Sequence, residues 1–264
     1  MKIFVIPKKK ALILCFAILI IVYVILSYFS VNYQGALAIE LSCNSVISED
    51  FKERINNLTK GDEKIAYLTF DDGPSKGATP KVLDILKEED VKATFFVIGK
   101  YVEERPELVK RAYDEGHYIA NHGYDHSNKT LYKSEESFIN EIKKTDEAIG
   151  KAIGIDDYCS HVFRFPNGYM SKKNKSNKKE AAKLLEDMNY TYIDWNCLNN
   201  DSMKKYSKQQ LLENLKKLTK NKNTLVILMH DTKDVSDSSS VLKESIQYLK
   251  AQGYKFENFY DLME

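Results

Sequence analysis

Two aspartates, Asp71 and Asp72, stand side by side directly after the apolar run Ile65–Phe70, and two histidines, His122 and His126, lie four residues apart further along. Adjacent carboxylates repel one another unless a cation or a proton intervenes. Two imidazoles with one carboxylate form a familiar ligand set for zinc-like ions that keeps a coordination position open. Each feature also has a plainer reading by itself: Asp71-Asp72-Gly73-Pro74 is good turn chemistry, and a histidine pair at this spacing need hold nothing. An aspartate pair and a histidine pair brought to one place point instead to a divalent cation and the water it activates. His230 ends the strongly apolar stretch Leu225–Met229, where it reads either as a satisfied core histidine or as a proton donor at the same site. Arg164 is always charged and needs an anionic partner, for which Asp71 and Asp201 are available. His117 and His161 lack such company and read as structural, and Phe95 and Phe96 read as core packing.

Positioning these groups falls to short β-rich runs that alternate with segments of helical period. The runs are Ile65–Phe70, Ala93–Ile98, Tyr118–Asn121, Val162–Arg164, Thr191–Trp195, Leu225–Met229 and Tyr254–Glu257. Helices are expected over Thr79–Glu88, Val102–Glu115, Ser134–Ile153, Lys178–Met188, Ser207–Thr219 and Ser240–Gln252. Spacing such as Val82, Ile85 and Leu86 supplies one apolar face, and Ser134, Gly116 and Gly253 suit helix ends. Repeated strand–helix alternation predicts parallel strands with helices outside. About seven or eight strands fit a closed barrel better than an open sheet, and in a barrel the strand C-termini share one rim, where such folds build their sites. Asp71 and Asp72 follow the first strand, His122 and His126 the third, Arg164 ends the fourth, Asp201 comes after the fifth, and His230 and Asp231 follow the sixth.

Composition narrows the partners. Lys+Arg total 39 and Asp+Glu 38 in 264 residues, a net charge of +1 that provides no general field for nucleic acid. The lysine-rich stretch from Lys172 to Lys179 is broken by Asn and Ser and reads as a solvated loop. At the N-terminus, Lys8, Lys9 and Lys10 precede an uncharged apolar run from Ala11 to about Phe29. Roughly 20 such residues span a hydrocarbon core, and the lysines predict a cytoplasmic N-terminus with the rest outside. The competing reading is a signal peptide cleaved near Ala36-Leu37-Ala38. Either way the domain is exported. The expected organisation is a cytoplasmic stub over 1–10, an anchor over 11–30, a juxtamembrane segment over 31–64 with one short helix around Ser48 to Leu58, and a catalytic domain over 65–264. Of the cysteines, Cys15 lies in the apolar run, and Cys43, Cys159 and Cys197 are far apart with no C-x-x-C pair. That is neither a disulfide framework nor a thiolate metal site; a Cys43–Cys159 bridge is open, but nothing in the spacing supports it.

The chain from about Ile65 onward resembles the polysaccharide deacetylases, the carbohydrate esterases related to nodulation, peptidoglycan and chitin deacetylases. Five ordered motifs carry the resemblance: Thr69-Phe70-Asp71-Asp72-Gly73-Pro74, His122-Gly123-Tyr124-Asp125-His126, Arg164-Phe165-Pro166-Asn167-Gly168, a fourth near Asp194-Trp195, and Leu228-Met229-His230. The resemblance implies a distorted (β/α) barrel. It implies Asp71 as general base, Asp72, His122 and His126 as ligands of one divalent metal ion, Zn2+ before Co2+, Ni2+ or Mn2+, Arg164 as the residue orienting Asp71, and His230 as general acid. Leu228 would line the pocket for the acetyl methyl, and a backbone N–H near Asn167 would help hold the oxyanion. Two departures stand out. Gly123 occupies a place where the family usually has Ser or Thr, whose hydroxyl could hold the metal loop. The fourth motif usually ends in Asp-Trp, present as Asp194-Trp195, yet alignment by the preceding strand puts Asp201-Ser202 there. Asp201 is the preferred partner for His230 and Asp194 the alternative, and Trp195 is the pocket tryptophan only in the second alignment.

The expected activity is hydrolysis of the acetamido group of an N-acetylated cell-wall polysaccharide, with peptidoglycan N-acetylglucosamine before N-acetylmuramic acid. The partners would be that glycan and, through the N-terminal helix, the membrane, with the chain acting as a monomer. The alternatives are a hydrolase of another linear or cyclic amide on the same barrel, and an inactive surface glycan-binding protein.

Overall fold

The computed structural model describes residues 19–27, 41–198, 200–201, 206–232 and 238–263. Its central strand, β1 (Ile65–Asp71), is buried along nearly its whole length, and it accordingly runs apolar with Thr69 the one polar residue before Asp71. Strands β2 (Thr94–Val97), β3 (Tyr118–Asn121), β4 (Val162–Phe163) and β5 (Thr191–Tyr192) follow on one side of β1. On the other lie β7 (Leu225–His230) and then β6 (Cys197–Leu198), while β8 (Lys255–Glu257) pairs with the first half of β1. Every pairing is parallel. No pairing joins β5 to β6 among the described residues. The sheet therefore curls into a half-barrel with helices around it, consistent with the expected distorted barrel.

The register carries chemistry to one rim. Asp71 lies opposite Phe96 on β2 and His230 on β7, so the ends of β1 and β7 are level. β6 was not anticipated, because Cys197-Leu198 follows β5 with no helical segment between them to mark a new strand. Its presence places Asp201 after the sixth strand and His230 at the end of the seventh.

The helices follow the apolar spacing with one break. The segment predicted as Val102–Glu115 divides into Gly99–Glu104 and Pro106–Asp114. Pro106 has no N–H to continue a helix and suits the first turn of a new one. At Ser134 the local signal acts as read, its hydroxyl accepting from the Ser137 N–H; Ser207 and Gln210 add a reciprocal cap that was not read from the sequence.

Two expectations need correction. The stretch assigned to a juxtamembrane segment contains Leu41, Ile47, Phe51, Ile55 and Leu58, all buried in the main core. The helix Glu49–Asn57, capped by Ser48, packs as part of the domain. Each such side chain contributes roughly 1.5–3 kcal/mol by burial, which a solvated linker would forgo. Second, Cys43 and Cys159 form a disulfide across 116 residues. Sequence spacing could not show it, because the fold and not the chain brings them together. Beside the bridge, Ser42 pairs with Tyr158. Among the described residues no helix is long and apolar enough to cross a membrane. Residues 19–27 are helical and exposed; the rest of the span predicted over 11–30, the stub before it and the Ala36-Leu37-Ala38 site lie outside the described residues.

Candidate active site

Side chains two apart on a strand share a face, so Thr69 and Asp71 point together from β1. Both meet Arg164, which follows β4 and is fully buried. Arg164 Nη1 donates to Thr69 Oγ1 (2.7 Å) and to Asp71 Oδ1 (2.8 Å), and Nε donates to the Ile193 carbonyl (3.1 Å). Its guanidinium stacks 3.9 Å from the Phe96 ring. A buried permanent cation requires an adjacent anion, and Asp71, not Asp201, is that anion. Phe96 is therefore more than core filling, because it is the surface on which the guanidinium rests.

Asp72 turns away from Asp71 through left-handed backbone, φ 69°, and His126 is also left-handed, φ 58°. Asp72 Oδ1 lies 3.3 Å from His122 Nε2 and 3.3 Å from His126 Nε2. This oxygen is buried and has no hydrogen-bond partner. His122 Nδ1 lies 2.8 Å from the Arg164 carbonyl, an acceptor that fixes the proton on Nδ1 and leaves the Nε2 lone pair facing Asp72. Ligand atoms about 2.0–2.1 Å from a tetrahedral ion stand roughly 3.3 Å apart. Both distances suit a small divalent cation, and the three ligand atoms lie within 4.8 Å of one another.

The electrostatics of Asp72 and His126 agree, whereas His122 is drawn toward its protonated form. Burial opposes ionisation of Asp72, but close contact with His122, then His126 and His230, holds its carboxyl well below the usual range. Burial and then His122 push His126 down, toward the neutral form a metal needs. His122 is pushed down by burial and, more strongly, pulled up by Asp71 and Asp72.

On the opposite side stands His230, with Nε2 3.9 Å from Asp72 Oδ2. Its Nδ1 lies 2.7 Å from Asp201 Oδ1, and its backbone N–H donates to Asp201 Oδ2 (2.8 Å). The Ser238 hydroxyl donates to the same oxygen. Burial works against the imidazolium, but the Asp201 hydrogen bond and charge, helped by Asp71 and Asp72, raise it to about 9.

Asp194 does other work: its carboxylate accepts from the N–H groups of Tyr169 (2.7 Å) and Met170 (2.8 Å). It thereby holds the turn after Arg164, in which Asn167 is exposed. Trp195 lies against that turn, close enough that a Cβ on Gly168 would come within 2.9 Å of its ring, and Gly168 is left-handed, φ 78°. Leu228 is buried on β7, two residues before His230. His117 and His161 sit in the interior, as expected. A cleft of about 400 Å³ opens beside Asp72 and His126, lined also by Ser75, Tyr101, Arg105 and Asp125.

Sequence reasoning gave no role to Asp231. Its carboxyl is buried, accepts from the Thr79 hydroxyl (2.5 Å) and is raised to about 7 by burial. Its signal was its place directly after His230. Thr69 was missed too, although its alternation with Asp71 on β1 was visible.

Known proteins resemble this chain in sequence and fold. Residues 59–193 match the model of the polysaccharide deacetylase family. The chain belongs to that family. It is accordingly a hydrolase acting on carbon–nitrogen bonds other than peptide bonds. It is 34% identical over 201 residues to the peptidoglycan-N-acetylmuramic acid deacetylase PdaA of Bacillus subtilis, covering 76% of this chain and 72% of that protein. It is 36% identical over 205 residues to a peptidoglycan-N-acetylglucosamine deacetylase of Bacillus cereus, covering 76% and 71%. The crystal structure of the catalytic domain of a peptidoglycan N-acetylglucosamine deacetylase from Eubacterium rectale superposes with a TM-score of 0.66 at 32% identity, covering 74% of this chain and 88% of that one.

Proposed function

We propose that this deacetylase uses one divalent metal ion, Zn2+ before Co2+, Ni2+ or Mn2+, to hydrolyse the acetamido group of N-acetylglucosamine or N-acetylmuramic acid in peptidoglycan. The observation that carries the reading is the convergence of Asp72, His122 and His126, with the Asp71–Arg164 pair on one side and the His230–Asp201 pair on the other. An ion held by the three would acidify water and polarise the acetamido carbonyl.

The chain's own groups handle the protons. Asp71 removes one from water; Arg164 occupies its Oδ1, and its Oδ2 faces the His122 side. His230, near 9, stays protonated at neutral pH and gives its proton to the departing amine. Asp201 holds the His230 ring through Nδ1, so that Nε2 presents the proton. The N–H groups of Gly168, Tyr169 and Met170 are committed within the turn, so support for the oxyanion falls to that of Asn167. Leu228, on the same face of β7 as His230, lines the acetyl pocket, and Trp195 walls the sugar beside the Asn167 turn.

The named activities of the relatives support the peptidoglycan substrate. We further place the domain outside the cell as a monomer, tethered through residues 11–30. The Cys43–Cys159 bridge supports export, since disulfides persist in oxidising compartments. The decisive experiment is acetate release from purified peptidoglycan by wild type and Asp71→Asn, with and without a chelator. Wild type should release acetate until chelated, and the variant should lose about 10²–10⁴-fold in rate. Equal rates would remove Asp71 from its role, and chelator-resistant release would remove the metal.

A further inference from the structure

The loop from His122 to His126 carries both imidazoles, yet Gly123 and His126 sit in left-handed backbone, φ 85° and 58°. Such a shape must be imposed from outside. Its peptide groups show how. The Gly123 N–H donates to Asn121 Oδ1 (2.9 Å). The Gly123 and Tyr124 carbonyls accept from the Gly99 and Lys100 N–H groups, each at 3.0 Å. The N–H groups of Tyr124 (2.8 Å) and Asp125 (3.1 Å) both donate to a single atom, Oε2 of Glu141. Glu141 is buried on the long helix Glu135–Ile153. The same helix fixes Asn121, whose Nδ2 donates to the Ile142 carbonyl and the Asp146 carboxylate, each at 3.0 Å.

Gly123 offers the loop no side chain of its own, and a Cβ there would lie 3.7 Å from that Glu141 oxygen. We propose that Glu141 is a positioning residue for the metal-binding loop, setting the distance between His122 and His126 by holding the Tyr124 and Asp125 amides. Hydrogen bonds to a carboxylate are about twice as strong as neutral ones, and two bonds converging on one buried atom resist any hinge motion of the loop. The proposal rests on the reading of Asp72, His122 and His126 as metal ligands.

The test is Zn2+ affinity of the full-length chain, read by competition with a chromophoric chelator. Glu141→Met keeps the volume but offers no acceptor, and affinity should fall about 10–100-fold, as for other groups that support metal ligands. Glu141→Gln keeps an acceptor oxygen and should bind close to wild type. Tyr254→Phe, which deletes a bond to the Lys222 carbonyl that the loop does not share, should leave affinity unchanged. Met binding as tightly as wild type, or Gln as weakly as Met, overturns the proposal. Should the Met variant not fold, amide exchange in wild type decides: slow exchange of the Tyr124 and Asp125 N–H groups is expected, and fast exchange overturns it. A wild-type chain that takes up no Zn2+ would instead sink the metal reading beneath it.

Discussion

The five histidines divide between the rim and the interior, and their surroundings separate them. His122, His126 and His230 each have an aspartate oxygen within 4.0 Å. Among the described residues, neither His117 nor His161 has a carboxylate so near. His117 Nδ1 accepts from the Ala93 N–H, and burial, with Lys92 and Arg111 adding, pushes it down to about 3. His161 places both ring nitrogens at carbonyls, those of Asn189 and Ser42. Residue type is thus a weak sign of chemistry; an imidazole acquires a task when unsatisfied carboxylate oxygens share its space.

The sharpest way to break this comparison is to exchange the two settings. His122→Ala should bring bound Zn2+ and acetate release below detection while the fold persists, whereas His161→Ala should keep its metal and lose thermal stability. Metal content and melting temperature measured together decide it, and metal retained by His122→Ala would end the distinction. A smaller effect is expected at His230. Asp201→Asn should lower kcat by about 10²-fold and move the basic limb of the pH–rate profile downward, because Asp201 is the main group raising His230. An unmoved limb would detach Asp201 from that role.

The smallest effect concerns stability and has opposite signs in the two settings. His230 titrates higher in the fold, about 9, than its ordinary 6.5, so its contribution is complete below 6.5 and is lost as pH rises through 9. His117 titrates lower, about 3, so the unfolded chain takes up its proton first and stability falls as pH drops below 6.5. Between pH 6.5 and 5 that loss should be on the order of 1–2 kcal/mol. Urea midpoints across pH should show His117→Gln flattening the acid side of the metal-free protein; an unchanged acid side would contradict the assignment.

Much of the fold was legible, because the apolar period of helices such as Thr79–Glu88 and the buried run of β1 are local properties. The rim cluster was legible for a related reason: parallel strands bring their C-terminal ends together, so Asp71, His122, Arg164 and His230 could be grouped from strand positions alone. What escaped was non-local or unpunctuated. β6 follows β5 with no helix between them, and the Cys43–Cys159 bridge depends on three-dimensional proximity. Phe51 and Ile55 carry no sign of which body they pack against. The choice between Asp194 and Asp201 turned on which carboxylate reached His230, and the turn Asp194 secures instead was invisible before its amides were placed. Glu141 gave no signal, since its partners are backbone groups.

Arg164 cannot shed its proton and sees no solvent. A neutral residue at position 71 therefore deletes the proposed base and also strands a guanidinium in the interior, a defect worth roughly 3–5 kcal/mol. Pairing Asp71→Asn with Arg164→Met discharges both sites at once, and such a double variant would recover its melting temperature while staying inert. Solidity and turnover, fused in one ion pair, can in this way be pulled apart.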